Sequence, residues 1–301
     1  WLIRFGLFLY DNMGGRNFLK GTNSLSLINS PEGLPLKNKF SKAFEYSDCW
    51  IEDSRLVILN ARDAEIRGAK INVRTKVTSA EQIKGVWHLT LHSLRDDTSR
   101  VVTARMIVNA GGPWVEDIIQ NKIRLNSSEG VRLVRGSHLI TKKLYDHEKC
   151  YFFQGEDGRI IFAIPYETDF TLIGTTDVEH ADISIKPECT LEEQNYLINF
   201  ASQYFKIKVT DDDIIKTYSG VRPLYNDNAS SASAATRDYV LSIDETLGAP
   251  MLNVFGGKIT TYRKLSENAL DKISKILPSV EVSWTAGVPL PGGNFDIKEV
   301  Q

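Results

Sequence analysis

The chain has 301 residues, 42% of them hydrophobic, enough for a sizeable core in one large domain or two ordinary ones. Its 36 basic and 38 acidic residues leave a net charge of −2, which excludes nucleic-acid binding driven by bulk charge and confines any basic function to a local patch. Cys49, Cys150 and Cys189 are far apart, with no CxxC spacing and no adjoining histidine pair, so neither a disulfide framework nor a zinc cluster is expected and a reducing compartment fits.

Residues 1–10 are apolar on nearly every side and read as a buried helix. The run is shorter than the roughly 20 residues that span a bilayer and has no signal-peptide cleavage site. A core helix at the first residue, with no initiating methionine, leads to the expectation that a preceding part has been cut away. Residues 11–45 mix Gly, Asn, Ser, Pro and Lys without periodicity and predict loops and short elements. Cap-type residues followed by helical spacing predict a helix over 53–64, feeding a strand at 70–74. Two β-rich runs, 86–92 and 101–110, flank a polar turn and predict a hairpin or meander beside a parallel sheet.

The second run ends in Asn109-Ala110-Gly111-Gly112-Pro113-Trp114, a strand, glycine turn and helix start in succession. Pro113 suits the first helical position, and the glycines permit close approach of a cofactor, or make a plain crossover turn. Short turns separate predicted strands at 131–141, 150–154, 159–166 and 170–175, which implies antiparallel hairpins in a separate sheet. Thr190 and Glu193 form a capping box, and Tyr196, Leu197, Phe200, Ala201, Tyr204 and Phe205 make a stripe suited to core packing. Strands resume at 216–218, 239–243 and 251–255. A long amphipathic helix follows, marked by Tyr262, Leu265, Ala269, Ile273 and Ile276 and ending near Pro278.

Phe255-Gly256-Gly257-Lys258 joins that last strand to that helix. Adjacent glycines let backbone approach a ligand, the helix start offers unpaired N–H groups, and Lys258 and Arg263 add positive charge. The alternative is an ordinary strand-to-helix turn. His138, Arg222 and Lys258 all adjoin glycine-containing segments and are expected at turns rather than on regular faces. An unperturbed histidine has a pKa near neutrality, so His138 suits a general base, or is a hydrogen-bonded strand residue. Arg222, between Gly220 and Pro223, suits a bidentate clamp on phosphate or oxyanion, or a salt bridge. Gly174-Thr175-Thr176-Asp177 offers hydroxyls that either bind phosphate or end a sheet. No nucleophile elbow, HExxH helix, EF-hand loop, Walker A sequence or GxGxxG occurs.

These segments stand in one order that resembles the FAD-dependent, respiratory-type glycerol-3-phosphate dehydrogenases, in particular the aerobic bacterial type. The carriers are residues 1–11, Phe44-Glu45-Tyr46-Ser47-Asp48-Cys49-Trp50, Gly112-Pro113-Trp114, Arg135-Gly136-Ser137-His138, Ile173-Gly174-Thr175-Thr176-Asp177, residues 217–224 and residues 255–265. Residues 11–45 are least similar, and Gly111 and Tyr239 depart from the family pattern.

The resemblance implies a mixed α/β fold of glycine-oxidase-like type, in which the remainder of a Rossmann-like FAD-binding domain is interleaved with an antiparallel-sheet substrate domain. It places a partial FAD-binding domain with connector elements at 1–130, the substrate domain at 131–245, and the return to the FAD-binding domain at 246–301. The activity implied is oxidation of sn-glycerol 3-phosphate to dihydroxyacetone phosphate by hydride transfer to FAD, with electrons passed to ubiquinone by a peripheral enzyme on the cytoplasmic side of the membrane, with a homodimer as a further expectation. His138 would be the base for the C2 hydroxyl, Arg222 would stabilise the alkoxide or clamp phosphate, and Lys258 would anchor substrate. Gly256, Gly257, Thr260 and Thr261 would contact the isoalloxazine or ribityl chain, Ala110 and Gly111 would lie along the FAD, and Thr175 would touch phosphate; no metal is expected. The family's amino-terminal FAD fingerprint and carboxy-terminal helical cap are expected to lie outside this chain, leaving a central piece that holds FAD weakly and is inactive alone. An oxygen-reducing glycerol-phosphate oxidase and a non-enzymatic folded module are the alternatives.

Overall fold

The computed structural model describes residues 2–13, 19–126, 129–155, 157–227, 236–278 and 283–296. Trp1 and Glu156, which enter the predicted helix at 1–10 and the turn at 155–158, lie outside the described residues. The fold is mixed α/β with largely antiparallel sheets, and the chain divides into two compact units. The first takes residues 1–50, 135–180 and 184–221, and the second 51–134, 181–183 and 222–301.

In the first unit, strands Tyr151–Gln154, Ile160–Tyr166, Phe170–Gly174 and Val131–Lys142 follow one another across an antiparallel sheet. Ile214–Tyr225 also pairs with Val131–Lys142, and both strands continue into the second unit. The helix Leu191–Tyr204 begins at the Thr190 capping box, as its sequence predicts, and buries Leu197, Ile198, Phe200 and Ala201. These join Leu139, Phe153, Ile161, Ile173 and Phe205 in one apolar core. Register explains the patterning: alternate residues of each strand face that helix, while their neighbours point away.

The second unit holds two three-stranded sheets. Thr75–Ile83, Val86–Ser93 and Thr98–Ala104 form an antiparallel meander. In the other sheet Met251–Gly256 pairs antiparallel with Tyr239–Asp244 and parallel with Ile107–Asn109. Its core gathers Trp87, Val115, Ile119, Met251 and Phe255, and the Trp87 indole N–H donates to the Pro250 carbonyl at 2.9 Å.

Several expectations need correction. The helix Leu2–Asn12 forms, but Leu2, Ile3, Phe5 and Phe8 are each more than half exposed. Its apolar residues surround the whole circumference rather than one stripe, and polar contacts from Arg4 to Ser24 and from Tyr10 to the Ser47 carbonyl hold it. Residues 70–74 are not a strand: Arg74 takes a left-handed φ of 52°, and the strand starts at Thr75. The run 101–110 is two strands, broken at Arg105–Met106, because its first half pairs with the meander and its second half with Met251–Asn253. β-Branched residues on both sides of the break, Val101, Val102 and Thr103 before it and Ile107 and Val108 after it, suit either neighbour, so composition does not mark the switch. His138 and Arg222 lie inside twelve-residue strands rather than at turns, since neither Gly136 nor Pro223 interrupts its strand.

Candidate functional site

The parallel pairing in the second unit sets Asn253 directly against Asn109, where one strand ends while its partner runs on three residues to Gly256. The two side chains reinforce that register: Asn109 Nδ2 donates to Asn253 Oδ1 at 3.0 Å and to the Val115 carbonyl at 3.1 Å, with both residues buried. Buried amides satisfied in this way hold a single arrangement, because any slip would leave them unpaired. Just beyond one strand end come Ala110, Gly111 and the 3₁₀ turn Gly112–Trp114, with Pro113 at its start as predicted. The other strand ends in Gly256, followed by Gly257 and Lys258. Carboxyl ends of parallel strands are where open α/β sheets take ligands.

Gly256 and Gly257 adopt φ of 70° and 97°. At Gly256 a Cβ would lie 2.9 Å from the Asp238 carbonyl oxygen and 3.3 Å from the Tyr225 nitrogen, so glycine is needed for both conformation and space. The same close approach brings the backbone of Arg222's strand against this turn, with the Pro223 carbonyl 3.7 Å from that Cβ position. Lys258 then caps the 3₁₀ turn Ile259–Thr261, which leads into the helix Tyr262–Ile273. Lys258, Ile259 and Thr260 are exposed, leaving early N–H groups of this helix start toward solvent or ligand. Thr261 N and Oγ1 both bond the Lys258 carbonyl at 3.0 Å.

The second unit therefore collects Ala110, Gly111, Arg222, Gly256, Gly257, Lys258, Thr260 and Thr261. These residues suit the ring and ribityl part of a flavin: paired glycines that admit close backbone approach, free helix-start donors and nearby cations. No GxGxxG pyrophosphate turn occurs among the 301 residues.

His138 and Thr175 belong to the first unit. The His138 ring stacks on Tyr218, with centroids 4.9 Å apart and planes 4° from parallel. Its cross-strand partner is Gly174, where a Cβ would overlap the imidazole. Glycine thus makes the slot in which the ring lies. One residue before His138, Ser137 donates through Oγ to Glu193 Oε1 at 2.8 Å and through its backbone N–H to Thr176 Oγ1 at 2.9 Å. Thr176 Oγ1 in turn donates to Glu193 Oε1 at 2.6 Å, and Arg135 Nη2 to Oε2 at 2.8 Å. Burial raises the Glu193 carboxyl, yet bonds from Thr176, the Thr190 backbone, Ser137 and Arg135 outweigh it and hold the group at about 2. The Thr175–Thr176 segment thus ends its strand and bonds inward at once.

The sequence flagged Gly174 and Thr176 only as part of a possible phosphate-binding or strand-ending segment, took Glu193 only for a helix cap, and did not mark Tyr218, Ser137, Asn109 and Asn253 as site-building residues.

The family model for FAD dependent oxidoreductases matches residues 19–263. The chain belongs to the FAD-dependent oxidoreductase family. Among its relatives, the D-erythritol 1-phosphate dehydrogenase of Brucella abortus (strain 2308) is 47% identical over 295 residues, 98% of this chain and 59% of the relative. The aerobic glycerol-3-phosphate dehydrogenase of Escherichia coli (strain K12) is 42% identical over 298 residues, again 98% of this chain and 59% of the relative. The FAD-complexed glycerol-3-phosphate dehydrogenase of Bacillus halodurans superposes with a TM-score of 0.75 at 26% identity, over 90% of this chain and 55% of that one. The chain spans about three fifths of the length of the curated relatives it matches.

Proposed function

We propose that this chain forms the flavin-ring and substrate-contacting part of a polyol-phosphate dehydrogenase, with sn-glycerol 3-phosphate as substrate and dihydroxyacetone phosphate as product. The observation that carries the reading is the pair of parallel strands whose carboxyl ends lead into Ala110–Gly111 and into Gly256–Lys258, with the strand of Arg222 packed against Gly256. Gly256, Gly257, Thr260, Thr261, Ala110 and Gly111 would hold FAD, which when bound supplies a two-electron acceptor for the C2 hydride. His138 accepts the C2 hydroxyl proton at an imidazole nitrogen. Arg222 lowers the cost of negative charge on that oxygen or grips the phosphate, and Lys258 and Thr175 complete the anion's contacts. Ubiquinone is the proposed electron acceptor, met at the cytoplasmic surface of the membrane; no helix among the described residues is long and apolar enough to cross one.

A second substrate, D-erythritol 1-phosphate, is favoured by the 47% identity to a dehydrogenase of that name. Both substrates present a secondary alcohol and a phosphate, so the same charged residues serve either. Anaerobic bleaching of the flavin's visible absorbance by each phosphate decides between them. Bleaching by erythritol phosphate alone moves the assignment to the longer polyol, and bleaching by neither sinks the dehydrogenase reading. Hydrogen peroxide yield, set against reduction of a soluble quinone, separates an oxidase from a dehydrogenase. A purified chain that takes up no FAD would instead favour a folded module without activity of its own.

A further inference from the structure

We propose that Glu193 is a positioning residue for this site, holding the backbone at His138 and Thr175 through the hydroxyls of their neighbours Ser137 and Thr176. The inference rests on the reading that His138 and Thr175 meet the substrate. It starts from an excess of bonds. A capping-box glutamate needs only the reciprocal bonds to its N-cap, which here are Thr190 N to Oε2 at 3.0 Å and Glu193 N to Thr190 Oγ1 at 3.2 Å. Glu193 also accepts from Ser137 and Arg135 on one strand and from Thr176 in the segment that follows the neighbouring strand. Capping boxes usually lie at the surface, whereas this residue is 5% exposed, with Ser137 at 0% and Thr176 at 1%.

A buried carboxylate persists only where its lone pairs are met, and donors converge on both oxygens here. That convergence makes the acceptor hard to replace: an amide nitrogen would face donors on one side or the other. The bonds form a closed loop, because Thr176 Oγ1 donates to Glu193 while accepting from Ser137 N. Ser137 Oγ further meets Ser219 Oγ at 2.8 Å, one residue past Tyr218, on which the His138 ring stacks. A rigid helix start thereby fixes the strand carrying the imidazole, the strand carrying its stacking partner and the turn carrying Thr175. With the ring already confined between Gly174 and Tyr218, a small backbone shift at Ser137 tilts it directly.

The test uses Ser137→Ala and Thr176→Val in the FAD-loaded protein, with Thr176→Ser as the variant that keeps the hydroxyl. Ser137→Ala is expected to lower kcat roughly 10- to 100-fold with little change in KM, while Thr176→Val lowers kcat and also raises KM. Thr176→Ser is expected to restore both. A second readout needs no substrate: the His138 imidazole NMR signal, identified by its loss in His138→Asn and displaced by the Tyr218 ring, should move in Thr176→Val while that of His88 stays. A folded Thr176→Val protein with an unmoved His138 signal overturns the proposal, as does failure of Thr176→Ser to rescue. If the wild-type protein oxidises neither phosphate, the function reading falls, and the His138 signal alone still decides the positioning role.

Discussion

Gly174 and Gly256 are constrained by different neighbours, and substitution separates the two constraints. At Gly174 the obstacle is the His138 ring across the sheet. Gly174→Ala must push the imidazole out of its stack on Tyr218 or spread the strands, an overpacking that costs about 1–3 kcal/mol. Urea denaturation measures that cost, and turnover should fall with it. At Gly256 the obstacle is backbone, the Asp238 carbonyl, and the φ of 70° already disfavours a side chain. Gly112 shares a positive φ of 55° but has open space around its Cβ position. Gly256→Ala should therefore destabilise more than Gly112→Ala in the same urea series, and equal losses would show that conformation alone matters. The sequence made Gly256 and Gly257 visible, because two glycines after an apolar strand punctuate the chain. Gly174 was not, since its role depends on a partner 36 positions earlier that only the strand register reveals.

At the scale of elements, the helix Leu191–Tyr204 depends on a start whose charge is sensitive to acid. The Glu193 carboxyl falls from 4.5 to about 2 in the folded chain. A lowered carboxylate contributes stability that is complete above its unfolded value and is lost as pH falls from 4.5 toward 2. The span corresponds to about 3 kcal/mol. Acid unfolding should therefore be steeper between those limits in the wild type than in Glu193→Gln, which has no such proton to take up. Parallel curves would show that the carboxylate is not held as described. The capping box and apolar stripe of this helix were legible locally, as were the hairpin turns of the sheet it covers. The break at Arg105–Met106 was not, because β-branched residues stand on both sides of it and do not show that the hydrogen-bonding partner changes there. Nor was the exposure of Leu2–Asn12, since apolar composition states what a helix can bury and not what surface it meets.

For the whole molecule, a net charge of −2 gives no general attraction for a phosphate ester, so the proposed substrate would have to be held by fixed local cations. Arg222 and Lys258 were singled out in the sequence by their glycine and proline neighbours; Lys258 follows the Gly256–Gly257 end of its strand, and the backbone just after Arg222 approaches Gly256. If these two residues recognise the anion in the transition state, removing either should cost about 2–4 kcal/mol, roughly a 30- to 1,000-fold loss in kcat/KM. That loss should be selective. Arg222→Ala and Lys258→Ala should act strongly on glycerol 3-phosphate and weakly on unphosphorylated glycerol, narrowing the preference between the two substrates. An equal fall on both would assign these cations to the reacting oxygen or the flavin rather than to phosphate. An unchanged kcat/KM on both would remove them from the site. Raised ionic strength should weaken the wild-type preference only modestly, because the attraction is short-range and local, whereas a steep salt dependence would mean that a wider field guides the substrate.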